Sequence, residues 1–131
     1  FYGPFGGSIR VRTFHNPQGA TQWGNYGNEV VVEDLGGDGR ADLLVSAIGN
    51  TSAGIVAAGE AYVHYGPLPQ PGSKPVHLPV PFLLEDEWPD LADVPGPRFG
   101  MSIAARAGVV AIGANRKNWA GKADTGVGFI Y

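Results

Sequence analysis

The chain alternates short apolar runs with turns rich in glycine, proline and aspartate. Apolar or β-branched runs come at residues 28–34 (NEVVVED), 41–49 (ADLLVSAIG) and 59–67 (GEAYVHYGP). Residues 74–84 (KPVHLPVPFLL) form another run, but prolines interrupt it. Since proline lacks the N–H group that a central strand needs, this run predicts an edge strand. No longer stretch shows a helical period, so the pattern predicts an all-β fold.

The same order of elements occurs again towards the end of the chain. Its counterparts are Phe99-Gly100 for Tyr26-Gly27, residues 108–115 for 42–50, and residues 125–131 for 59–65. The shift is 73 residues at the opening dipeptide and about 66 at the closing strand. We expect the difference to come from the aspartate loop together with the longer proline-containing segment. A repeat of this size, built from strands, is typical of a propeller blade.

Composition supports a turn-rich β protein and narrows the function classes. The 131 residues suffice for a domain with a core, and 21 Gly and 11 Pro favour many turns. The net charge of −3 provides no basic stripe, which argues against a nucleic-acid partner. No apolar run is long enough to span a membrane. There is no cysteine, so the redox compartment stays open.

Three aspartates, Asp34, Asp38 and Asp42, lie four residues apart in the stretch EDLGGDGRADLLVSAIG. Calcium takes about six to eight oxygen ligands, and a loop of the form D-x-[DN]-x-D-G-x-x-D presents alternate positions to one ion. In this frame the three carboxylates and the backbone carbonyl of Arg40 are the ligands. Gly36 stands at the third position, where Asn or Asp is expected. We therefore expect calcium binding that is weaker rather than absent.

The loop has two other interpretations. A tight turn is the simpler one, because Asp and Gly favour turns through bonds from side chain to backbone. A phosphate cradle is disfavoured, because no Gly-Lys-Ser/Thr and no helix follow, and three carboxylates would repel phosphate. The second repeat has only ARAG (residues 105–108) at the equivalent place, so we expect no metal there.

These motifs together resemble FG-GAP repeats, the blades of the integrin α-subunit propeller and of related bacterial and fungal propellers. The Phe-Gly element is intact at Phe99-Gly100 and becomes Tyr26-Gly27 in the first unit. The Gly-Ala-Pro element is Gly113-Ala114-Asn115, and more loosely residues 47–50. The resemblance covers about residues 20–131. It implies an extracellular or cell-surface propeller with a calcium loop between strands.

Two blades do not close a propeller, which typically has about four to eight. We expect residues 1–19 to be the outer-strand segment of a preceding or neighbouring blade, through the run SIRVRTF. Residues 20–84 are then a blade with the calcium loop, and residues 85–131 a second blade without its outer strand. Since the chain begins at Phe1, it is expected to be a processed form or a piece of a longer protein. Further blades come from a parent chain or from oligomerisation.

Three functions are compatible with this organisation. The first is a calcium-binding propeller module for adhesion or for binding a protein or glycan, in the manner of a lectin. The second is a structural protomer of a ring or filament, assembled by strand exchange between chains. The third is a non-catalytic propeller part of a secreted hydrolase. Catalysis is not expected, because no Ser-His-Asp order with a nucleophile elbow and no suitably paired acids are found.

Several further residues are weaker candidates. The acidic segment 83–100 around Trp88 could contact a ligand or a second cation, although a solvated loop is the simpler interpretation. The aromatic residues near glycine turns could stack on sugars but more often pack between blades; they are Trp23, Tyr26 and Trp119. The histidines, which show no ligand spacing, are His15, His64 and His77. Asn50-Thr51-Ser52 is a glycosylation sequon that matters only in a eukaryotic secretory protein.

Overall fold

The structure, a computed structural model, describes residues 12–19, 23–52, 54–67, 74–80, 96–118, 122 and 124–131. The described residues form strands and no helix, which confirms the predicted all-β fold: β1 (Tyr26–Glu33), β2 (Asp42–Ala47), β3 (Glu60–His64), β4 (Val76–Leu78), β5 (Phe99–Arg106), β6 (Val109–Ala114) and β7 (Val127–Ile130). In these ranges, accordingly, nothing helical is long and apolar enough to cross a membrane.

The strands form two antiparallel sheets in chain order. Sheet 1 has the order β1-β2-β3-β4, and sheet 2 has the order β5-β6-β7. Within the part of the chain that the structure describes, β4 pairs only with β3, and it lies between Pro75 and Pro79, which confirms the predicted edge strand there. The predicted outer strand at residues 8–14 is described only from Arg12 onwards, and residues 12–14 form no strand. Of segment 74–84, residues 81–84 lie outside the described residues.

Each sheet has two faces, because alternate side chains point to opposite sides. We call front the face that carries Leu44, Ala61 and Val63 in sheet 1, and back the opposite face. By the repeat, the front of sheet 2 carries Ile130, and its back carries Ile112 and Phe129. The front of sheet 1 packs on the back of sheet 2, and the buried residues of this core are Leu44, Ala61, Val63, Val80, Phe99, Val110, Ile112 and Ala114. The fold is therefore a face-to-face pair of sheets with one core between them.

Phe99 joins the two sheets through both its side chain and its backbone. Its side chain is fully buried, and its ring centroid lies 5.7 Å from that of Phe129. Its N–H donates to the carbonyl of Ala58 at 2.8 Å, and Phe99 forms a parallel bridge with Gly59. A Cβ on Gly59 would lie 2.1 Å from the Phe99 carbonyl oxygen, so only glycine permits this approach.

The sequence repeat is also a repeat of hydrogen-bonded pairs. The pair Tyr26–Ala47 corresponds to Phe99–Ala114, and Glu33–Asp42 corresponds to Arg106–Val109. Both first strands have a register shift just after the aromatic residue, between Tyr26 and Val30 and between Phe99 and Ser102. The shift in numbering is 73 in the first strand and 67 in the second and third.

The pairing corrects three details of the sequence alignment. Residues 125–131 correspond to 58–64 rather than 59–65, because the shift in the third strand is 67 residues rather than 66. The change in shift comes wholly from one hairpin, because residues 34–41 connect β1 to β2 whereas only Ala107 and Gly108 connect β5 to β6. The proline-containing segment contributes nothing to it. In addition, Gly113-Ala114-Asn115 corresponds to residues 46–48 rather than 47–50, because Ala114 and Ala47 occupy the same place in the two ladders.

Replacing Phe99 by Ala should destabilise the protein by about 3–5 kcal/mol, because it leaves a cavity at the centre of the only core shared by the sheets in the described ranges. Urea unfolding of the variant measures this loss. Ile130→Ala is the control, since Ile130 is 73% exposed and its truncation should change stability little. A loss for Phe99→Ala no larger than that of the control would contradict the packing described.

Candidate functional site: the aspartate loop and the polar back face of sheet 1

The predicted metal residues all lie in the loop between β1 and β2 or at its end, but backbone amides already surround two of the carboxylates. Asp34 accepts hydrogen bonds from the amides of Gly37 at 2.7 Å, Asp38 at 3.1 Å and Gly39 at 2.8 Å. This arrangement closes the loop on itself and compensates the charge of Asp34 without a cation.

Asp42 anchors the far end of the loop from within the protein. It is 1% exposed, and its Oδ2 accepts from the amides of Leu35 at 2.9 Å and Gly36 at 3.0 Å. Its Oδ1 accepts from the amide of Gly66 at 2.7 Å, just beyond β3. Asp42 thus ties the loop to the neighbouring hairpin, which is a structural role whatever the loop binds.

Asp38 is the least constrained of the three aspartates. It is exposed, and its Oδ1 accepts one bond, from the amide of Arg40 at 2.9 Å. A carboxylate has about four acceptor positions, so Asp38 keeps most of its capacity while Asp34 and Asp42 keep little.

The described residues contain no group of three or more His, Asp or Glu side chains arranged to hold a metal ion. The structure therefore brings Asp34, Asp38 and Asp42 into one loop without making them converge. Their remaining lone pairs, with the carbonyl of Arg40, still provide oxygen donors of the kind that calcium uses. The residues fit a calcium ion by donor type, and Asp38 keeps the most free acceptor positions. The oxygens that remain free are fewer than the roughly six to eight that calcium takes, so water would supply the other ligands.

Gly36 occupies the third position of the loop, where the calcium motif has Asn or Asp and this chain has no side-chain ligand. A Cβ placed on Gly36 would lie 3.8 Å from Oδ2 of Asp42 and 3.7 Å from the ring of Tyr65, both ordinary contact distances. The backbone of Gly36 is outside the left-handed region, unlike that of Gly37 at φ +70°. A side chain at position 36 is thus sterically acceptable and begins beside the Asp42 carboxylate.

A second group of polar residues, which sequence reasoning did not identify, lies on the back of sheet 1. Glu60 is 4% exposed, and its Oε2 accepts bonds from the Tyr62 hydroxyl and from Nδ2 of Asn50 at 2.9 Å. Asn50 is fully buried and also bonds the Tyr62 hydroxyl at 3.2 Å. Burial, together with the Glu60 carboxylate, raises the pKa of Tyr62 well above its usual value.

His64 lies on the same face, beside this network. Its Nε2 and the Tyr26 hydroxyl share a hydrogen bond of 2.6 Å, and its ring packs against Phe14 with centroids 4.7 Å apart. Burial lowers the pKa of His64, because an imidazolium would lose hydration there. Burial also raises the pKa of Tyr26 to about 12. A structural role for His64 and Tyr26, rather than sugar stacking, is consistent with these contacts.

Residues 12–19 are attached to this face by their side chains. Asn16 and Asn50 exchange two hydrogen bonds, at 2.6 and 3.0 Å. Gln18 Nε2 donates to the carbonyl of Thr51 at 2.8 Å. A glycan on Asn50 is incompatible with this arrangement, because the side chain is fully buried and its amide is engaged.

The repeat shows what signal would have revealed this network. The residues equivalent to Glu60, Tyr62 and His64 in sheet 2 are Val127, Phe129 and Tyr131. Comparing the two units position by position, rather than only by motif, therefore reveals that polar residues replace apolar ones along the β3 row of this face.

The remaining candidates are dispersed. His15 is exposed, and His77 lies 3.5 Å from Glu60 at the edge of the back face. Trp23 is 76% exposed, while Trp119 and Trp88 lie outside the described residues. The acidic segment is described only from Gly96 onwards, where it leads into β5.

Comparison with known protein families, with curated proteins and with solved structures finds nothing that matches this chain.

The free energy of unfolding should fall as the pH is lowered through about 6.5, because the unfolded chain takes up the proton that buried His64 resists. His64→Gln removes this titration and should flatten the decline of the urea midpoint below that pH. His15→Gln, at an exposed position, is the control and should keep the wild-type slope. If both variants decline like the wild type, His64 does not cause the pH dependence.

Proposed function

We propose that this chain is a calcium-binding, propeller-type module that acts by binding a protein or glycan rather than by catalysis, and that it works outside the cell or at its surface. The observation that carries the proposal is the matched repeat, in which one hairpin is a two-residue turn and its counterpart is the aspartate loop. The two sheets are then successive blades of the FG-GAP type that their motifs resemble.

The length and the three carboxylates of the aspartate loop favour a calcium site over a plain turn. A turn requires only short connections such as Ala107-Gly108, whose backbone φ angles of +49° and +80° suit a two-residue hairpin. The first unit instead retains three carboxylates in the same connection, two of them oriented by backbone amides. Asp34, Asp38, Asp42 and the Arg40 carbonyl would hold the ion, with Gly36 leaving room for water. Extracellular calcium sites of this kind bind at about 0.1–1 mM.

A structural protomer is the second candidate function. Sheet 2 presents an apolar front with Ile130 73% exposed, and it has three strands in the described residues where sheet 1 has four. Such a face and edge are suited to further blades, from the same polypeptide or from another copy.

Calcium should raise the thermal midpoint of the wild-type chain, because an ion that binds only the folded state stabilises it by about 2.7 kcal/mol at about 100-fold excess over its Kd. Asp38→Ala should abolish this increase while changing stability little in chelator, since Asp38 is exposed. Glu29→Ala removes an exposed carboxylate outside the loop and should respond to calcium as the wild type does. Equal midpoints with calcium and with chelator in the wild type would refute the calcium site.

Gly36→Asn should tighten calcium binding several-fold, because the new amide oxygen begins beside Asp42 at the missing ligand position. Calorimetric titration measures the change. The matched control is Gly37→Asn, where the added side chain has no described atom within 4 Å of its Cβ and supplies no ligand in this register. Equal affinities for Gly36→Asn and the wild type would show that position 36 does not face the ion.

A further inference from the structure

The contact between the two sheets consists of a donor half and an acceptor half. The donor half is Arg98-Phe99-Gly100, whose first two N–H groups donate to the carbonyls of Ala57 at 3.2 Å and Ala58 at 2.8 Å. The acceptor half is Ala57-Ala58-Gly59. The backbone has φ +55° at Arg98 and +52° at Ala57, so both halves have a distinctive conformation.

The donor half occurs a second time, at the start of sheet 1. Asn25-Tyr26-Gly27 has φ +50° at Asn25 and +90° at Gly27, against +55° at Arg98 and +89° at Gly100. The turn bond from Asn28 to Asn25, 3.2 Å, corresponds to that from Met101 to Arg98, 3.1 Å. Asn25 and Gly27 are exposed, and no described atom lies within 4 Å of a Cβ on Gly27. At Gly100 the Ser46 Cβ would lie at 2.7 Å.

The acceptor half also occurs a second time, before β7. Asp124-Thr125-Gly126 has φ +50° at Asp124 and +73° at Gly126, matching +52° at Ala57 and +82° at Gly59. The amide of Gly126 bonds the Lys117 carbonyl at 3.0 Å, as that of Gly59 bonds Asn50 at 3.1 Å. Asp124 and Thr125 are exposed, whereas Ala58 is fully buried under Phe99.

The side chains around these second copies are apolar and exposed. Val30 and Val32 on β1 are 51% and 58% exposed, and their equivalents Ile103 and Ala105 pack against the core. On the front of sheet 2, Ile130 is 73% exposed where its equivalent Val63 is 2% exposed. Apolar residues thus lie at the positions that are covered in the internal contact.

The charges near the second donor half and the second acceptor half are also complementary. In the internal contact the amide of Ala107 donates to Glu33 at 3.3 Å. The repeat replaces Glu33 by Arg106 and Ala107 by Asp34. A contact built on the second set of halves would therefore set Arg106 of one chain against the aspartate loop of another, which favours association of unlike ends.

We propose that the front of sheet 2 in one chain binds the β1 side of the back of sheet 1 in a second copy, with Asp124 and Thr125 accepting the N–H groups of Asn25 and Tyr26. This contact repeats the internal one. It joins different surfaces of identical chains, so it is a head-to-tail association that either closes into a ring or grows as a filament. The inference deepens the structural-protomer candidate and rests on it.

Residues 12–19 do not obstruct this association. Phe14 packs on His64, and the residue equivalent to His64 is Tyr131, whose hydroxyl bonds the carbonyl of Pro79 at 2.5 Å. Phe14 therefore takes the place that the segment after β4 takes in the internal contact. In the internal contact, the segment after β4 lies beside the packed sheets without separating them. Residues 12–19 can lie in the same way beside a second copy.

Light scattering of two variants and their mixture tests the proposal. Ile130→Lys places a charge on the front of sheet 2, and Val32→Lys places one on the β1 side of sheet 1; both positions are exposed, so folding should be preserved. Wild type should associate, and each variant alone should have the mass of one chain. Their equimolar mixture should form a dimer, because one intact front and one intact back remain. Val76→Lys, 48% exposed on β4, is the control and should associate like wild type.

The other outcomes separate this inference from the function on which it rests. A wild-type chain that remains monomeric overturns both the inference and the protomer candidate. A wild type that associates, with variants that associate equally well, leaves the protomer candidate standing but overturns the proposed surfaces. Self-association of one variant alone would indicate contact between like faces and would also overturn the head-to-tail arrangement.

Discussion

The packing of the two sheets depends on the close approach of two backbone segments at Phe99. The amide of Phe99 donates to Ala58 while its ring is fully buried between the sheets. The approach requires glycine at position 59, because any side chain there would overlap the Phe99 carbonyl. A hydrogen bond between backbone groups fixes the relative position of the sheets more tightly than apolar packing alone, because hydrogen bonds are directional and apolar contacts are not. The core then fills the space that this bond defines.

The two units share this scaffold but differ in the chemistry of their back faces. In sheet 2 that face is hydrocarbon and packs against another sheet. In sheet 1 it carries Glu60, Tyr62 and His64, all buried and hydrogen-bonded. Hydrogen bonds between buried polar groups add little to the net stability of the protein, but a buried polar group without a partner destabilises it. These residues therefore restrict which partners the face tolerates. The described segment that contacts this face supplies Asn16 as such a partner.

Much of the fold follows from the sequence because its signals are local. Alternation and glycine turns predict each strand that the described residues form, and the recurring Phe-Gly and Tyr-Gly elements mark the start of the two units. The sequence alignment of residues 113–115 is displaced by one residue at its start and by two at its end, because small residues carry little positional information. The strand pairing fixes the correspondence through hydrogen bonds. The aspartate spacing likewise identified the loop, but amide bonds to Asp34 and Asp42 depend on backbone geometry that spacing does not encode. The network around Glu60 depends on which strand face each side chain occupies and extends to the distant residue Asn16, so no sequence motif indicates it.

The connection between β1 and β2 is six residues longer than its counterpart, yet the strand pairs on either side are unchanged. Lengthening a loop from two to eight residues costs only about 1.2 kcal/mol in closure entropy. The hydrogen bonds that Asp34 and Asp42 accept can offset a cost of that size. The calcium dependence proposed for this loop would thus belong to a single hairpin. Evolution could add or remove such an ion site one connection at a time, while the stacking of the sheets stays intact.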